Sequence, residues 1–406
     1  MLSKRMNDLK PYKPGEQPSD RVYVKLNANE NPYPPSPECA VRVSRLVADD
    51  LRKMALYPDP DATELRKVIA AHLNETGGVL ANDDAAKKLG FEITPEMIFC
   101  GNGSDEVLSF VFYAFFDSDA PVVVPEFSYS FYPVYAGYYD IPLLKVPLAA
   151  DFSVDADAMI RAATGAACSK ASAAGLSGAM VEDVRGAGSS DAMVATARES
   201  SGLIFANPNA PTGIALSCET IRKMLLAYPR DKVFVVDEAY ADFGTESVLP
   251  LLAEFPNLVV VRTFSKSLAF AGMRMGYIVA SPELRNAVTT VKNSFNHFPA
   301  DNLCQEAAKA AAADCAYYRK ITKQIVKDRD WFRKELIAAG YEVLPSATNF
   351  VFARHKSLSG KQVYELVKKA GILIRHFDIP GVEDFVRITI GTAEQMKQLA
   401  DVMRRL

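Results

Sequence analysis

The chain has 406 residues, 49% of them hydrophobic and 23% charged, with a formal net charge of -3. This is an ordinary globular composition with room for a sizeable core and two or three domains. The near-neutral charge excludes a long-range pull toward nucleic acid or an anionic membrane surface.

The opening stretch, MLSKRMNDLKPYKPGEQ, has basic residues but no apolar run long enough for a signal peptide, and nothing downstream approaches a membrane span. A cytoplasmic address is therefore expected. PYKPGEQPSD and LNANENPYPPSP read as an extended arm, because proline blocks helix and sheet interiors. Such an arm has little core of its own and is expected to lie across another surface.

Between about residues 60 and 295, strand-like apolar runs alternate with helix-period stretches, the pattern of an α/β large domain built on a mostly parallel, doubly wound sheet. The expected strands are MIFCG, APVVVP, GLIFANP, KVFVVDEAY, NLVVVRTFSK and MGYIVA. Unbroken hydrophobicity in VFVV and LVVV implies strands buried on both faces. Residues 165–202 are rich in Ala, Gly and Ser and cannot bury much apolar area, so a surface insertion is expected there. After residue 296 come a helical stretch from Ala300 to Ala339, short strands in TNFVFAR, GILIR and FVRITIG, and a closing helix. Residues 296–406, joined by the arm at 1–59, are expected to form a smaller α+β domain. The six cysteines (Cys39, Cys100, Cys168, Cys218, Cys304 and Cys315) form no CxxC pair and no metal-ligand spacing with the four histidines. They read as reduced thiols, and no metal site is expected.

Ligands in open parallel sheets bind beyond the carboxyl ends of the strands, and four of the expected strand ends carry polar residues. Asp237 ends a fully apolar strand, a costly place for a carboxylate unless a cation is near. A protonated ring nitrogen, such as that of pyridoxal phosphate, would be such a partner. Capping of the following helix is the plainer alternative. Lys266 follows VVVRTFS. A lysine held in an apolar pocket loses its proton more readily, and the neutral amine attacks an aldehyde to form a Schiff base. Ser265 beside it and Arg274 eight residues on make a phosphate grip. Gly103, Ser104 and Asp105 open a helix whose free N–H groups suit a phosphate, although they also suit a simple N-cap. In the aromatic run FSYSFYPVYAGYYD one ring is expected to stack on a flat cofactor and the others to be core. Arg375 and Arg387 interrupt apolar runs in the small domain, where each calls for an anion: a structural carboxylate or a bound ligand.

Taken together, NPNAPTG, VVDEAYADF, TFSKSLAFAGMRMG and VRITIG resemble the fold-type I aminotransferases of class I/II. With LNANENP, LYPDPDATELR, GNGSDE and SYSFY the chain looks most like the histidinol-phosphate aminotransferase family, over nearly its whole length. The resemblance implies that Lys266 is the Schiff-base lysine and proton shuttle and that Asp237 pairs with the ring nitrogen. Asn207 and Tyr240 would bond the cofactor's phenolic oxygen, and Tyr129 would stack on the ring. Gly103, Ser104, Asp105, Ser265 and Arg274 would hold the phosphate, joined by Tyr57 from the other subunit of a homodimer. Tyr12, Asn29, Arg375 and Arg387 would bind substrate. The chain departs from the pattern at Ala210, where the family usually has a second asparagine, and at the 165–202 insertion. The implied reaction moves the amino group of L-histidinol phosphate to 2-oxoglutarate, giving imidazole-acetol phosphate and glutamate. The alternatives are an aromatic aminotransferase or a phosphothreonine decarboxylase with the same machinery. A non-catalytic regulator of this fold would bring a DNA-binding segment, for which the arm is too short and proline-rich. GNGSDE matches neither phosphate-loop pattern of nucleotide-binding proteins.

Overall fold

The computed structural model describes residues 2–3, 6, 9–12, 15–165, 180–182 and 200–406; the insertion expected at 165–202 falls almost entirely outside them. The elements in chain order are β1 (Val24–Lys25), α1 (Pro37–Asp49), α2 (Thr63–Thr76), β2 (Ile98–Asn102), α3 (Gly103–Phe115), β3 (Val122–Pro125), α4 (Tyr132–Tyr138), β4 (Leu143–Val146), α5 (Ala156–Thr164) and β5 (Met180–Glu182). They continue with β6 (Gly202–Ala206), α6 (Cys218–Ala227), β7 (Val233–Asp237), β8 (Leu258–Thr263), β9 (Met275–Ala280), α7 (Pro282–Phe295), α8 (Asn302–Ala313) and α9 (Cys315–Ala338). The chain closes with β10 (Glu342–Val343), β11 (Phe350–Arg354), α10 (Gly360–Lys369), β12 (Ile372–Leu373), β13 (Arg375–His376), β14 (Phe385–Thr389) and α11 (Ala393–Met403).

Eight strands form the central sheet in the order β2-β9-β8-β7-β6-β3-β4-β5. The pairs β8·β7, β7·β6, β6·β3 and β3·β4 are parallel, while β9 runs antiparallel to both its neighbours and β5 runs antiparallel to β4. All six expected strands are present. Alternate residues of one strand feed two separate cores: Leu203, Phe205, Phe234, Val236 and Val260 face one layer of helices, and Ile204, Val235, Val259 and Val261 face the other. That two-sided burial is why these runs show no alternation. Truncating such a side chain, Phe205→Ala for example, removes about 3–5 kcal/mol of stability.

The helical stretch expected from Ala300 to Ala339 is two helices. Asp314 ends α8 and caps α9, accepting a hydrogen bond from the Tyr317 N–H at 3.2 Å, and its other oxygen takes one from Ser36 Oγ at 2.6 Å. An aspartate competes for backbone donors and so starts helices readily. Helix α8 follows the boundary expected at 295/296, yet its alanines Ala307, Ala308, Ala310 and Ala311 belong to the large core, where the helix packs on α1 and α2. A second core begins within α9, at Ile325, Phe332 and Leu336, and takes in Phe350, Val351, Val386, Ile388 and Leu399. Its sheet is antiparallel, β10-β11-β14-β13, and the arm adds β1 alongside β12. The arm also brings Leu26 into this core.

Candidate active site

Asp237, Lys266, Tyr240, Ser104, Asp105, Tyr129, Ser265, Arg274 and Ala210 line one cleft at the carboxyl ends of the parallel strands. Asp237 is the last residue of β7, its side chain buried to 4% exposure. Its carboxylate accepts hydrogen bonds from Tyr132 Oη and the Ala239 N–H, both at 3.1 Å. Burial dominates the balance and pushes its pKa up to about 6. A carboxylate so placed would be kept ionised by a cationic ring N–H at the cleft floor. Tyr132 is a supporting residue that the sequence, read as core aromatics, did not reveal. Glu238 points to the other side of the strand, where it takes the Val248 N–H at 2.6 Å and pairs with buried Arg262 at 3.2 Å.

Lys266 stands three residues past β8, its Nζ 5.8 Å from the centroid of the Tyr240 ring. Its backbone is fixed from the arm: Asn31 Nδ2 donates to the carbonyls of Lys266 at 2.9 Å and Ser267 at 3.2 Å. The lysine's place thus depends on a segment far away in sequence, which its local motif does not reveal.

The phosphate side begins at the first turn of α3. A 13-residue helix presents free N–H groups and the positive end of its dipole here. Gly103 sits at φ +75°, where any L side chain is strained, and a Cβ there would lie 2.5 Å from Arg274 Nη2 and push that guanidinium aside. Arg274 Nη2 pairs with Asp105 Oδ2 at 2.8 Å, and Tyr129 Oη donates to Asp105 Oδ1 at 2.6 Å. Gly276 in β9 is the further requirement that went unnoticed in the sequence. A Cβ there would sit 2.3 Å from the Ser104 nitrogen, so its absence lets α3 start directly on the strand. The helix N-terminus, Ser265 and Arg274 together fit a phosphate dianion, and with Lys266 and Asp237 they fit pyridoxal phosphate.

Two of the expected site residues are engaged within the protein itself. Asn207 is not among the residues that line the cleft: its Oδ1 accepts from the Leu216 N–H at 2.8 Å and its Nδ2 donates to the Leu216 carbonyl at 3.2 Å. The loop turns after β6 so that Ala210 supplies the lining instead. Asn29, expected to touch substrate, is buried and in the left-handed region at φ 55°. Its Nδ2 donates to Tyr240 Oη at 2.9 Å and its Oδ1 accepts from Thr389 Oγ1 at 3.1 Å.

Arg375 and Arg387 face each other as register partners on β13 and β14. Both guanidinium groups lie over the Phe377 ring, at 5.5 and 5.4 Å from its centroid. Among the described residues neither is ion-paired, and Arg387 Nε is buried without a partner. Burial lowers the Arg387 pKa, so an anion would relieve it. The arm closes over this end: the Tyr12 ring lies 5.0 Å from that of Phe131, and Gly15 sits close against Arg375 Nη1. Tyr57 lies apart from the cleft lining, 82% exposed and stacked on Phe298 at 4.5 Å.

Buried acid, lysine, phosphate cradle and unpaired arginines define an enzyme that works through an aldehyde cofactor on an anionic amine. The chain belongs to the aminotransferase class I and II family, whose model matches residues 21–403, and is a pyridoxal-phosphate-dependent aminotransferase. It is 42% identical to histidinol-phosphate aminotransferase of Syntrophus aciditrophicus, over 100% of this chain and 98% of that one. It is 41% identical to histidinol-phosphate aminotransferase 1 of Pseudomonas aeruginosa, over 99% of this chain and 97% of that one. Its fold is that of histidinol-phosphate aminotransferase from Sinorhizobium meliloti in complex with pyridoxal-5'-phosphate, with a TM-score of 0.73 at 24% identity, covering 95% of this chain and 92% of that one.

Proposed function

We propose that this enzyme transfers the amino group of L-histidinol phosphate to 2-oxoglutarate, yielding imidazole-acetol phosphate and glutamate in histidine biosynthesis. The observation that carries the reading is Arg387, a guanidinium with a buried, unpartnered Nε, beside Arg375 on the neighbouring strand. Two cations there suit a doubly charged phosphate on one substrate and the carboxylate of the other. The near-full-length relatives at about 40% identity that carry the histidinol-phosphate name support the choice.

When bound, pyridoxal phosphate supplies an aldehyde that carries the amino group and a protonated ring that accepts the electron pair left on the substrate carbon. Asp237 holds the ring proton. Lys266 would hold the cofactor covalently at rest, and its amine is the base that would move the proton from the substrate carbon. Tyr129 would cover the ring, and Ser265, Arg274 and the start of α3 would anchor the phosphate. Arg375 and Arg387 fix the anionic end of the substrate.

The working form we propose is a cytoplasmic homodimer in which Tyr57 reaches the phosphate of the neighbouring subunit. Support comes from the exposed apolar group around it: Leu51 at 65%, Met54 at 60%, Leu56 at 62% and Phe295 at 73% exposure. Clusters of this kind mark interfaces. Among the described residues no helix is long and apolar enough to cross a membrane.

The test is single-turnover absorbance spectroscopy of the cofactor-loaded enzyme with L-histidinol phosphate, phenylalanine and phosphothreonine in turn. Rapid amino transfer from histidinol phosphate alone is the expected result. Preference for phenylalanine would make this an aromatic aminotransferase, and carbon dioxide from phosphothreonine would make it a decarboxylase. Lys266→Ala is expected to lose the absorbance of the covalently held cofactor.

A further inference from the structure

The ring of pyridoxal phosphate carries its nitrogen opposite the aldehyde carbon, with the phosphate arm and the phenolic oxygen on the two flanks of the aldehyde. Asp237 at one end, Lys266 at the other and the Ser104–Arg274 cradle on one flank leave a single edge of the cleft for the phenolic oxygen. Tyr240, its ring centroid 5.8 Å from Lys266 Nζ, and Ala210 line the same cleft and would fall at that edge. Asn207, the side chain expected to help there, is turned to the backbone of Leu216, with which its Nδ2 and Oδ1 each make one hydrogen bond, and Ala210 offers a methyl group where the resembling family usually has asparagine.

We infer that in this enzyme the phenolic oxygen depends on one side-chain donor, Tyr240, and that Asn29 is the positioning residue that makes Tyr240 a donor. Tyr240 Oη accepts a hydrogen bond from Asn29 Nδ2 at 2.9 Å. A phenol has one proton to give. With its acceptor side engaged by the amide, that proton is left to point into the cleft. Asn29 is itself held against rotation. Thr389 Oγ1 accepts from its backbone N–H at 2.9 Å and donates to its Oδ1 at 3.1 Å, and Asn349 Nδ2 donates to its carbonyl at 3.0 Å. The oxygen of the Asn29 amide therefore faces Thr389, and its NH2 group faces Tyr240. Thr389 lies two residues beyond Arg387 on β14. The strand that carries the substrate-anion arginine thus also sets the orientation of the tyrosine beside the cofactor.

The inference rests on the cofactor reading and concerns charge at one oxygen. Donors to the phenolate favour its fully charged form, which appears when the neighbouring Schiff-base nitrogen loses its proton. Fewer donors therefore mean a Schiff base that holds its proton to higher pH. The experiment is a spectrophotometric pH titration of the resting holoenzyme and of Asn29→Gly, Tyr240→Phe, their double variant and Ala210→Asn. Glycine tolerates the left-handed backbone of residue 29 and adds no charge. We expect the midpoint to rise by about one pH unit in Tyr240→Phe, the scale of one hydrogen bond, and to rise by a smaller amount in Asn29→Gly. The double variant is expected to match Tyr240→Phe alone, because Asn29 acts through the hydroxyl. Ala210→Asn is expected to lower the midpoint by restoring a donor.

An Asn29→Gly midpoint equal to wild type, or a further rise in the double variant, would overturn the positioning role. Should Asn29→Gly not fold, an Ala210→Asn midpoint that stays at the wild-type value would overturn the single-donor arrangement by itself. Absence of any lysine-dependent absorbance in the wild-type protein would instead defeat the cofactor reading, a separate failure.

Discussion

A carboxylate sealed at the floor of a cleft, with one tyrosine hydroxyl and one backbone N–H for company, is poorly solvated. Without cofactor, Asp237 has its pKa raised by burial from 3.8 to about 6. The folded protein then binds the proton more tightly than the unfolded chain does. Stability from this group is fully present below about pH 3.8 and is lost as the pH rises through about 6. By pH 7 the loss amounts to about 3 kcal/mol. Melting curves of cofactor-free wild type and Asp237→Asn should therefore converge near pH 4 and separate by pH 7, with the variant the more stable. A wild-type advantage at pH 7 would contradict this account. Adding cofactor should reverse the order, since only the carboxylate can pair with a charged ring nitrogen. At this scale the sequence was informative wherever a polar residue ended an apolar run, as with Asp237 and Lys266. It was uninformative in the loop after β6, where it named Asn207 and gave Ala210 only as a departure from the family pattern. Asn207 and Ala210 are told apart by the way the chain turns after β6, which no periodicity records.

Among elements, the strands were legible because burial on both faces leaves a run with no polar interruption. The break between α8 and α9 was not, since an alanine-rich stretch on either side of Asp314 reads as one helix until Ser36 is seen to hold that aspartate. The seating of α3 on β9 was hidden in the same way. Gly276 sits within a strand, where glycine is ordinarily a weakness, and its value lies in what approaches it. Gly276→Ala places a methyl 2.3 Å from the Ser104 nitrogen and 2.4 Å from the Gly103 carbonyl carbon. The first turn of the helix must shift, and its N–H groups lose their aim at the phosphate. We expect cofactor affinity, measured by equilibrium fluorescence titration, to fall about tenfold or more, equivalent to roughly 1.4 kcal/mol. Unchanged affinity in a folded variant would mean that α3 contributes little to the grip.

For the molecule as a whole, the arm ties sequence-distant surfaces together. Asn31 steadies the lysine loop, β1 extends the small domain beside β12, and Glu16 pairs with Lys368 on α10. Gly15 lies against Arg375 and Tyr12 against Phe131, and neither is among the residues that line the cleft. Removing residues 2–20 should therefore raise KM for the phosphorylated substrate about tenfold, a loss of roughly 1.4 kcal/mol in binding, while the absorbance of the bound cofactor stays the same. A loss of cofactor in that truncated chain would show that the arm supports the ring site as well.

The 24 residues of α9 start in one core, at Tyr318 and Ile321, and finish in the other, at Phe332 and Leu336. At 1.5 Å per residue the helix is a rod of about 36 Å. Rooted at both ends, it works as a lever between the two bodies. Tilting it about its middle by roughly 5° carries each end by about 1.5 Å, half the rod length times the angle. The helix packs on β10 and β11, and β11 pairs with β14, the strand of Arg387, so displacements of that size would reach the Arg387 guanidinium through β11. The reach of the proposed substrate clamp would thereby answer to the angle of a helix that carries none of its residues.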